Sequence, residues 1–376
     1  MRIGILETVK TNAGFELEFD RIIIEELKKQ GHEPILLLPE NSELNTDFGV
    51  PIDYLSGGQI VDYTEAGKIK KIILSAKREI RRVNWFDSAY NKIKDREFDA
   101  IIITTATYRY LRSLRRSLLK NSPIPVIFIF LGVNPQEKPK FLTQARKCLP
   151  YKNIKLKITT LRDDFASDKL PNMDLILPPV VVPPDMIINH NLNPSLPLKI
   201  GFFGHYRKGE KDLNGILQAF KEANLNGFSE LLVQAVASTE NDKQDLDSIV
   251  KKFSDVENIK FIHNKYIGDD WYSLLNSVDI IFLPYSAERY LYNWSAVYFN
   301  AIGLFKPVLV TSKLNPEVLR RFKIGDEVDV NNLQELKETI VKFIAEYGNN
   351  VSKYEVNLIE ANKLFGHSAF IRNLLN

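Results

Sequence analysis

Positive charge beside glycine is the most chemically suggestive pattern in the chain. Residues 199–204 are a largely apolar run ending in Gly204, and His205, Tyr206, Arg207, Lys208 and Gly209 follow it. Glycine after a strand lets the backbone approach a ligand closely, and nearby cations can meet a diphosphate through charge-assisted hydrogen bonds. The plainer reading is an ordinary strand-to-helix turn carrying solvated cations. A second run, from Ser295 and Ala296 to Leu304, reads as a helix whose first amides also favour anionic oxygen. Together these groups can stabilise a departing nucleoside diphosphate without a metal. Competing chemistries lack their patterns: no Asp-X-Asp follows a strand, His and Cys have no zinc spacing, and there is no nucleophile elbow or Gly-x-Gly-x-x-Gly. The expectation is no metal and no cofactor beyond the donor itself.

The elements that must position these groups alternate strand and helix. Residues 279–283 are a short apolar run closed by Pro284, followed by a polar, aromatic loop, the helix from 295, and Lys306-Pro307 before the apolar 308–311. Such an order delivers helix amides to the carboxyl edge of a parallel sheet, where α/β proteins bind phosphorylated ligands. The start of the chain alternates in the same way. Residues 2–7 read as a strand, 16–30 as a helix stopped by Gly31, and 33–38 as a second strand, with further buried strands at 99–105, 125–130, 155–160 and 174–177.

Residues 278–312 resemble the donor-binding segment of GT-B glycosyltransferases, most closely the retaining family-4 class. Pro284-Tyr285 and Lys306-Pro307-Val308 match its pattern. Alignment on Lys-Pro-Val sets Tyr292 and Asn300 at the places of the family's two glutamates, and Phe305 at the place of a glycine. The element order extends the likeness over nearly the whole chain. It implies an α/β fold of GT-B architecture, two Rossmann-like parallel-sheet domains facing across a cleft. By the same likeness the donor is held by Gly204, His205 in the place of an arginine, Arg207, Lys208, Glu288, Tyr292, Ser295, Ala296 and Asn300, with Lys265 and Tyr266 beside the base. Tyr266 reads equally well as packing. Asn300 offers the ribose an uncharged acceptor, and Glu288 and Tyr290 are near enough in sequence to substitute. Asn12, Gly14 and Phe15, in the first loop, would lie on the acceptor side. Leu131 stands where the family often has a histidine beside the transferred sugar. If the course is retaining, as the likeness favours, the donor phosphate can take the acceptor's proton. An inverting course needs a base, and Glu16, Asp20 and His205 are the candidates.

With 376 residues the chain suits two domains. The proline-rich run 178–184 marks their junction, giving an acceptor-side domain at 1–185, a linker at 186–197 and a nucleotide-sugar domain at 198–351, with 352–376 crossing back to the first. Hydrophobic content of 44% and charged content of 26% are those of a soluble globular protein, and a net charge of +3 argues for no nucleic-acid partner. A lone Cys148 excludes an intramolecular disulfide and fits a reducing cytoplasm. Two basic amphipathic helices are expected at 68–82 and 109–120. Their apolar stripes either pack on the domain or rest, peripherally, on an anionic membrane surface. The expected activity is transfer of a sugar from a nucleoside diphosphate donor to a saccharide or lipid-linked saccharide acceptor, in surface polysaccharide or glycoconjugate synthesis. The alternatives are a non-catalytic GT-B binding or accessory protein and a sugar-nucleotide 2-epimerase, though no paired carboxylates are spaced to argue for the latter.

Overall fold

The computed structural model describes the chain apart from residues 9–13, 43–46, 62–67, 95–97, 163–164, 166, 193–194, 211 and 286–292. It divides into two compact units, Met1–Pro178 with His367–Asn376, and Pro179–Gly366. The division falls earlier than the linker expected at 186–197. The reason is burial: Val180, Val181 and Val182 are packed in the second unit, where the Val180 amide donates to the Phe365 carbonyl at 2.8 Å. The returning segment is also shorter than 352–376, beginning at His367.

In the first unit, β1 (Arg2–Leu6) leads to α1 (Phe15–Lys29), β2 (Glu33–Pro39), β3 (Ile52–Leu55), α2 (Lys68–Lys94), β4 (Ala100–Ile103), α3 (Tyr108–Leu114), β5 (Val126–Phe130), α4 (Lys138–Lys147), β6 (Ile154–Thr159) and β7 (Met173–Ile176). The strands form one parallel sheet in the order β3-β2-β1-β4-β5-β6-β7. Near-continuous Ile, Leu, Val and Phe runs suit strands covered on both faces, and Ile5, Ile101, Ile102, Phe128 and Leu156 are fully buried. Winding reverses between β1 and β4, so the residues just beyond them meet at the sheet's carboxyl edge.

Two helical expectations change. The C-terminal half of α2 packs through Trp85, Phe86, Ala89 and Ile93, whereas Ile72, Ile73 and Ile80 are 72%, 65% and 62% exposed. The helix expected over 109–120 stops at Leu114. The Ser117 hydroxyl donates to the Leu114 carbonyl at 2.9 Å and Asp87 accepts from the Leu118 amide at 2.6 Å, taking up backbone groups that a longer helix would have used.

In the second unit, β8 (Leu198–Tyr206) leads to α5 (Leu213–Ala223), β9 (Ser229–Ala237), α6 (Glu240–Phe253), β10 (Ile259–Ile262), α7 (Asp269–Asn276), β11 (Ile280–Leu283), α8 (Ala296–Gly303), β12 (Val308–Thr311), α9 (Pro316–Phe322), β13 (Gly325–Val328) and the long α10 (Leu333–Phe365). The parallel sheet runs β10-β9-β8-β11-β12-β13, with its reversal between β8 and β11. After α10, α11 (His367–Leu375) packs in the first unit, where Phe370 meets Phe19 at 5.7 Å between ring centroids. Among the described residues no helix is long and apolar enough to cross a membrane.

Candidate functional site

The second unit's site forms where β8 and β11 end side by side. β8 continues in register with β9 through His205↔Val236 and Tyr206↔Ala237, two residues beyond the expected stop at Gly204. Gly204 bends it with φ at +115°, a conformation that L side chains rarely adopt. The Gly204 amide donates to Gln234 Oε1 at 3.3 Å, and Gln234 Nε2 donates to the Asn264 carbonyl at 3.1 Å. Gln234, only 2% exposed, thereby joins the Gly204 bend to the loop carrying Lys265 and Tyr266. Sequence reasoning missed it, because a glutamine inside an apolar strand gives no motif.

Arg207 and Lys208 follow this bend, facing carboxylates. Arg207 Nη1 lies 3.4 Å from Glu210, and Lys208 Nζ lies 2.8 Å from Asp245. The Lys208 amide donates to Asp242 at 2.9 Å, and the Tyr206 hydroxyl donates to Asp245. The hydrogen bond from the Lys208 amide is the main cause holding the Asp242 carboxyl below its ordinary range, and the Lys208 ammonium does the same for Asp245, helped by Tyr206. Burial and the hydrogen bond to Asp245 push the Tyr206 phenol up. An arriving anion therefore competes with Glu210 for Arg207 and with Asp245 of α6 for Lys208.

After β11, Ser295 caps α8, its hydroxyl accepting from the Tyr298 amide at 3.3 Å while its own amide donates to Asn315 at 3.1 Å. The amides of Ala296 and Val297, in the first turn, have no intrahelical acceptor and are left as donors to a group outside the helix. Asn300 goes elsewhere: it is 2% exposed and its carboxamide donates to the Val181 carbonyl, so it braces the packed valine run instead of reaching a ribose. Phe305, at the glycine position of the likeness, keeps glycine's geometry with φ at +57°. Glu288, Tyr290, Tyr292 and Asn12 lie outside the described residues.

The first unit builds a second site at its own strand reversal. Glu7, just past β1, accepts from the Thr104 hydroxyl at 2.9 Å and the Thr105 hydroxyl at 3.1 Å, both just past β4. Asp20 is 2% exposed and one of its carboxyl oxygens has no hydrogen-bond partner. Burial, then the charge of Glu7, raises the Asp20 carboxyl well above its ordinary range. The sequence shows no paired carboxylates; the fold makes this pair by bringing the residue just past β1 together with one of α1. Thr8 and Tyr110 extend the network, with hydroxyl oxygens 2.7 Å apart.

In front of Thr105 lies a cavity of about 380 Å3 lined by Glu16, Arg78, Arg82, Arg109, Arg112 and Leu131, among others. Glu16 and Leu131, singled out separately in the sequence, thus line one cavity. Gly14, with φ at +120°, precedes α1, and Phe15 packs on Phe19 with centroids 5.6 Å apart. Asp20 is buried behind, and His205 belongs to the other unit. Glu7 and Arg82 were missed because the first reads as a strand's end and the second as part of a solvated basic face. Among the described residues no group of His, Cys, Asp and Glu is placed to hold a metal ion.

Two parallel Rossmann-like units, each with its candidate groups at the strand reversal, have the GT-B fold. Solved structures share it along the whole chain. HepE of Anabaena in complex with UDP and glucose matches with TM-score 0.63 and 13% identity, covering 100% of this chain and 98% of that one. A glycosyltransferase of Rickettsia africae matches with TM-score 0.67 and 13% identity, covering 100% and 96%. WaaG, a glycosyltransferase involved in lipopolysaccharide biosynthesis, gives TM-score 0.59 and 13% identity, covering 98% and 97%. No protein-family model and no curated protein sequence matches the chain.

Proposed function

We propose that this chain is a metal-independent glycosyltransferase that moves a sugar from a uridine diphosphate donor to a saccharide or lipid-linked saccharide. The observation carrying this reading is the strand reversal of the second unit, where the Gly204 bend, Arg207, Lys208 and the first amides of α8 share one sheet edge. Structural likeness supports the donor class, since HepE was solved with UDP and with UDP-glucose. Retention, and a place in surface polysaccharide or glycoconjugate synthesis, follow the sequence likeness. A thermal-shift panel of nucleoside diphosphates with donor-hydrolysis assays tests the reading. Absence of any response to UDP defeats it.

The non-catalytic reading is favoured by one observation, Asn300 turned to the Val181 carbonyl at a place where the likeness has a glutamate. UDP binding without hydrolysis or transfer, across candidate acceptors, would establish that reading.

Peripheral attachment to an anionic membrane is part of the proposal, through the exposed Ile72, Ile73 and Ile80 of α2 with basic Lys77 nearby. Apolar side chains beside cations suit an interface of anionic lipid. Arg81 and Arg82 are not among the lipid-facing cations, because Arg81 donates to the Gly57 carbonyl and Arg82 is 4% exposed.

A further inference from the structure

The cavity of the first unit is more cationic than recognition of a neutral sugar requires. Four arginines, Arg78, Arg82, Arg109 and Arg112, are set against two carboxylates, Glu16 and Glu79, among its lining residues. Glu79 is itself shared, since both Arg112 and Arg116 reach its carboxylate. The deepest cation is Arg82, which is 4% exposed, stacks 4.1 Å from the Tyr110 ring centroid and places Nη1 3.4 Å from the Ser113 hydroxyl. Its Nε has no hydrogen-bond partner. A guanidinium this deeply buried is costly, and negative charge in the cavity it lines offsets part of that cost.

Charge and geometry together select the anion. Guanidinium groups arrive from two helices, Arg78 and Arg82 from α2, Arg109 and Arg112 from α3. A phosphate presents several oxygens in different directions and can be held from both sides, whereas one carboxylate plane suits one or two forks. We propose that the cavity binds the phosphate or diphosphate group of a phosphorylated acceptor, gripped by Arg78, Arg82, Arg109 and Arg112. That the bound molecule is an acceptor rests on the transferase reading; that the cavity takes a phosphate does not. A second cavity of about 380 Å3, lined by Ala76, Ile80 and Val83 together with Glu79, Asn84 and Arg116, shares Glu79 with the first, so a longer acceptor has room to continue along α2.

The experiment is calorimetric titration of inorganic pyrophosphate into the full chain in excess UDP, which keeps the second unit's site filled. Arg82 is too buried to replace safely, so the variant is Arg78→Gln with Arg109→Gln. Pyrophosphate is expected to bind the native protein, and the double variant to lose about tenfold or more in affinity, with an unchanged circular dichroism spectrum and an unchanged thermal shift by UDP. Equal affinity in both proteins, no binding to the native one, or tighter binding of glucuronate than of pyrophosphate overturns the proposal. If UDP fails to bind while the arginine-dependent pyrophosphate site persists, the transferase reading falls and the phosphate site stands. Competition separates the two sources of such a group. Displacement of pyrophosphate by a soluble sugar 1-phosphate supports a soluble acceptor, and displacement by phosphatidylcholine vesicles containing a polyprenyl phosphate supports a lipid one. Displacement by neither overturns the proposal.

Discussion

The ring of Phe305 meets the imidazole of His190 edge-on, with centroids 4.1 Å apart, while its backbone holds a φ of +57°. Left-handed backbone costs a residue with a side chain about 1–2 kcal/mol, and glycine would avoid it. Here the turn after α8 is kept because the side chain is 5% exposed and well packed. Phe305→Ala keeps the strained backbone and gives up the packing, so it should lose about 3 kcal/mol or more. Phe305→Gly should be more stable than Phe305→Ala by about 1 kcal/mol. Urea midpoints of the two variants check the order, and a less stable glycine variant would refute the account.

Asp20 should make stability fall as pH rises. Its carboxyl keeps a proton in the folded protein beyond the ordinary value of 3.8, whereas the unfolded chain releases it there. Below that value both states are protonated and nothing is lost; above it the folded state binds more protons, so stability declines toward the raised folded value. Asp20→Asn removes the ionisation. Its melting temperature should match the native protein's in acid and exceed it progressively toward neutral pH. A constant difference across the range would count against the assignment.

Asp245 should restrain donor binding. Replacing it with Asn leaves an acceptor for Tyr206 while removing the charge 2.8 Å from Lys208. An exposed pair is worth at most about 1 kcal/mol, so Asp245→Asn should tighten UDP binding by about fivefold or less. Arg207→Ala with Lys208→Ala should abolish the UDP thermal shift with the fold intact. Survival of that shift would move the diphosphate elsewhere.

For α2, changing Ile72, Ile73 and Ile80 together to Ser should leave the melting temperature nearly unaltered, since all three face solvent. Co-sedimentation with anionic vesicles should fall by about tenfold or more, whereas neutral vesicles should bind neither protein. Undiminished binding to anionic vesicles would exclude this face.

Much of the fold could be read from local pattern. Apolar runs such as Ile101-Ile102-Ile103 and Val126-Ile127-Phe128 announce buried parallel strands, and Ser295 announces its helix. The site was less legible because its decisive contacts join distant residues. Glu7 meets Thr104 across 97 positions, and Asn300 is claimed by Val181 across 119. Periodicity also misled at α2. The spacing of its isoleucines is that of a buried stripe, but a helix of 27 residues continues beyond the sheet that its C-terminal half covers.

Gln234 gives the second unit a property that neither of its neighbouring loops has alone. One carboxamide spans from the Gly204 amide to the Asn264 carbonyl, so it works as a gauge block between the turn proposed for phosphate and the turn proposed for base. Under the proposed function, a donor has to match the fixed interval that this side chain sets between the two turns. Shortening that standard by a single methylene, as in Gln234→Asn, would recalibrate both turns at once.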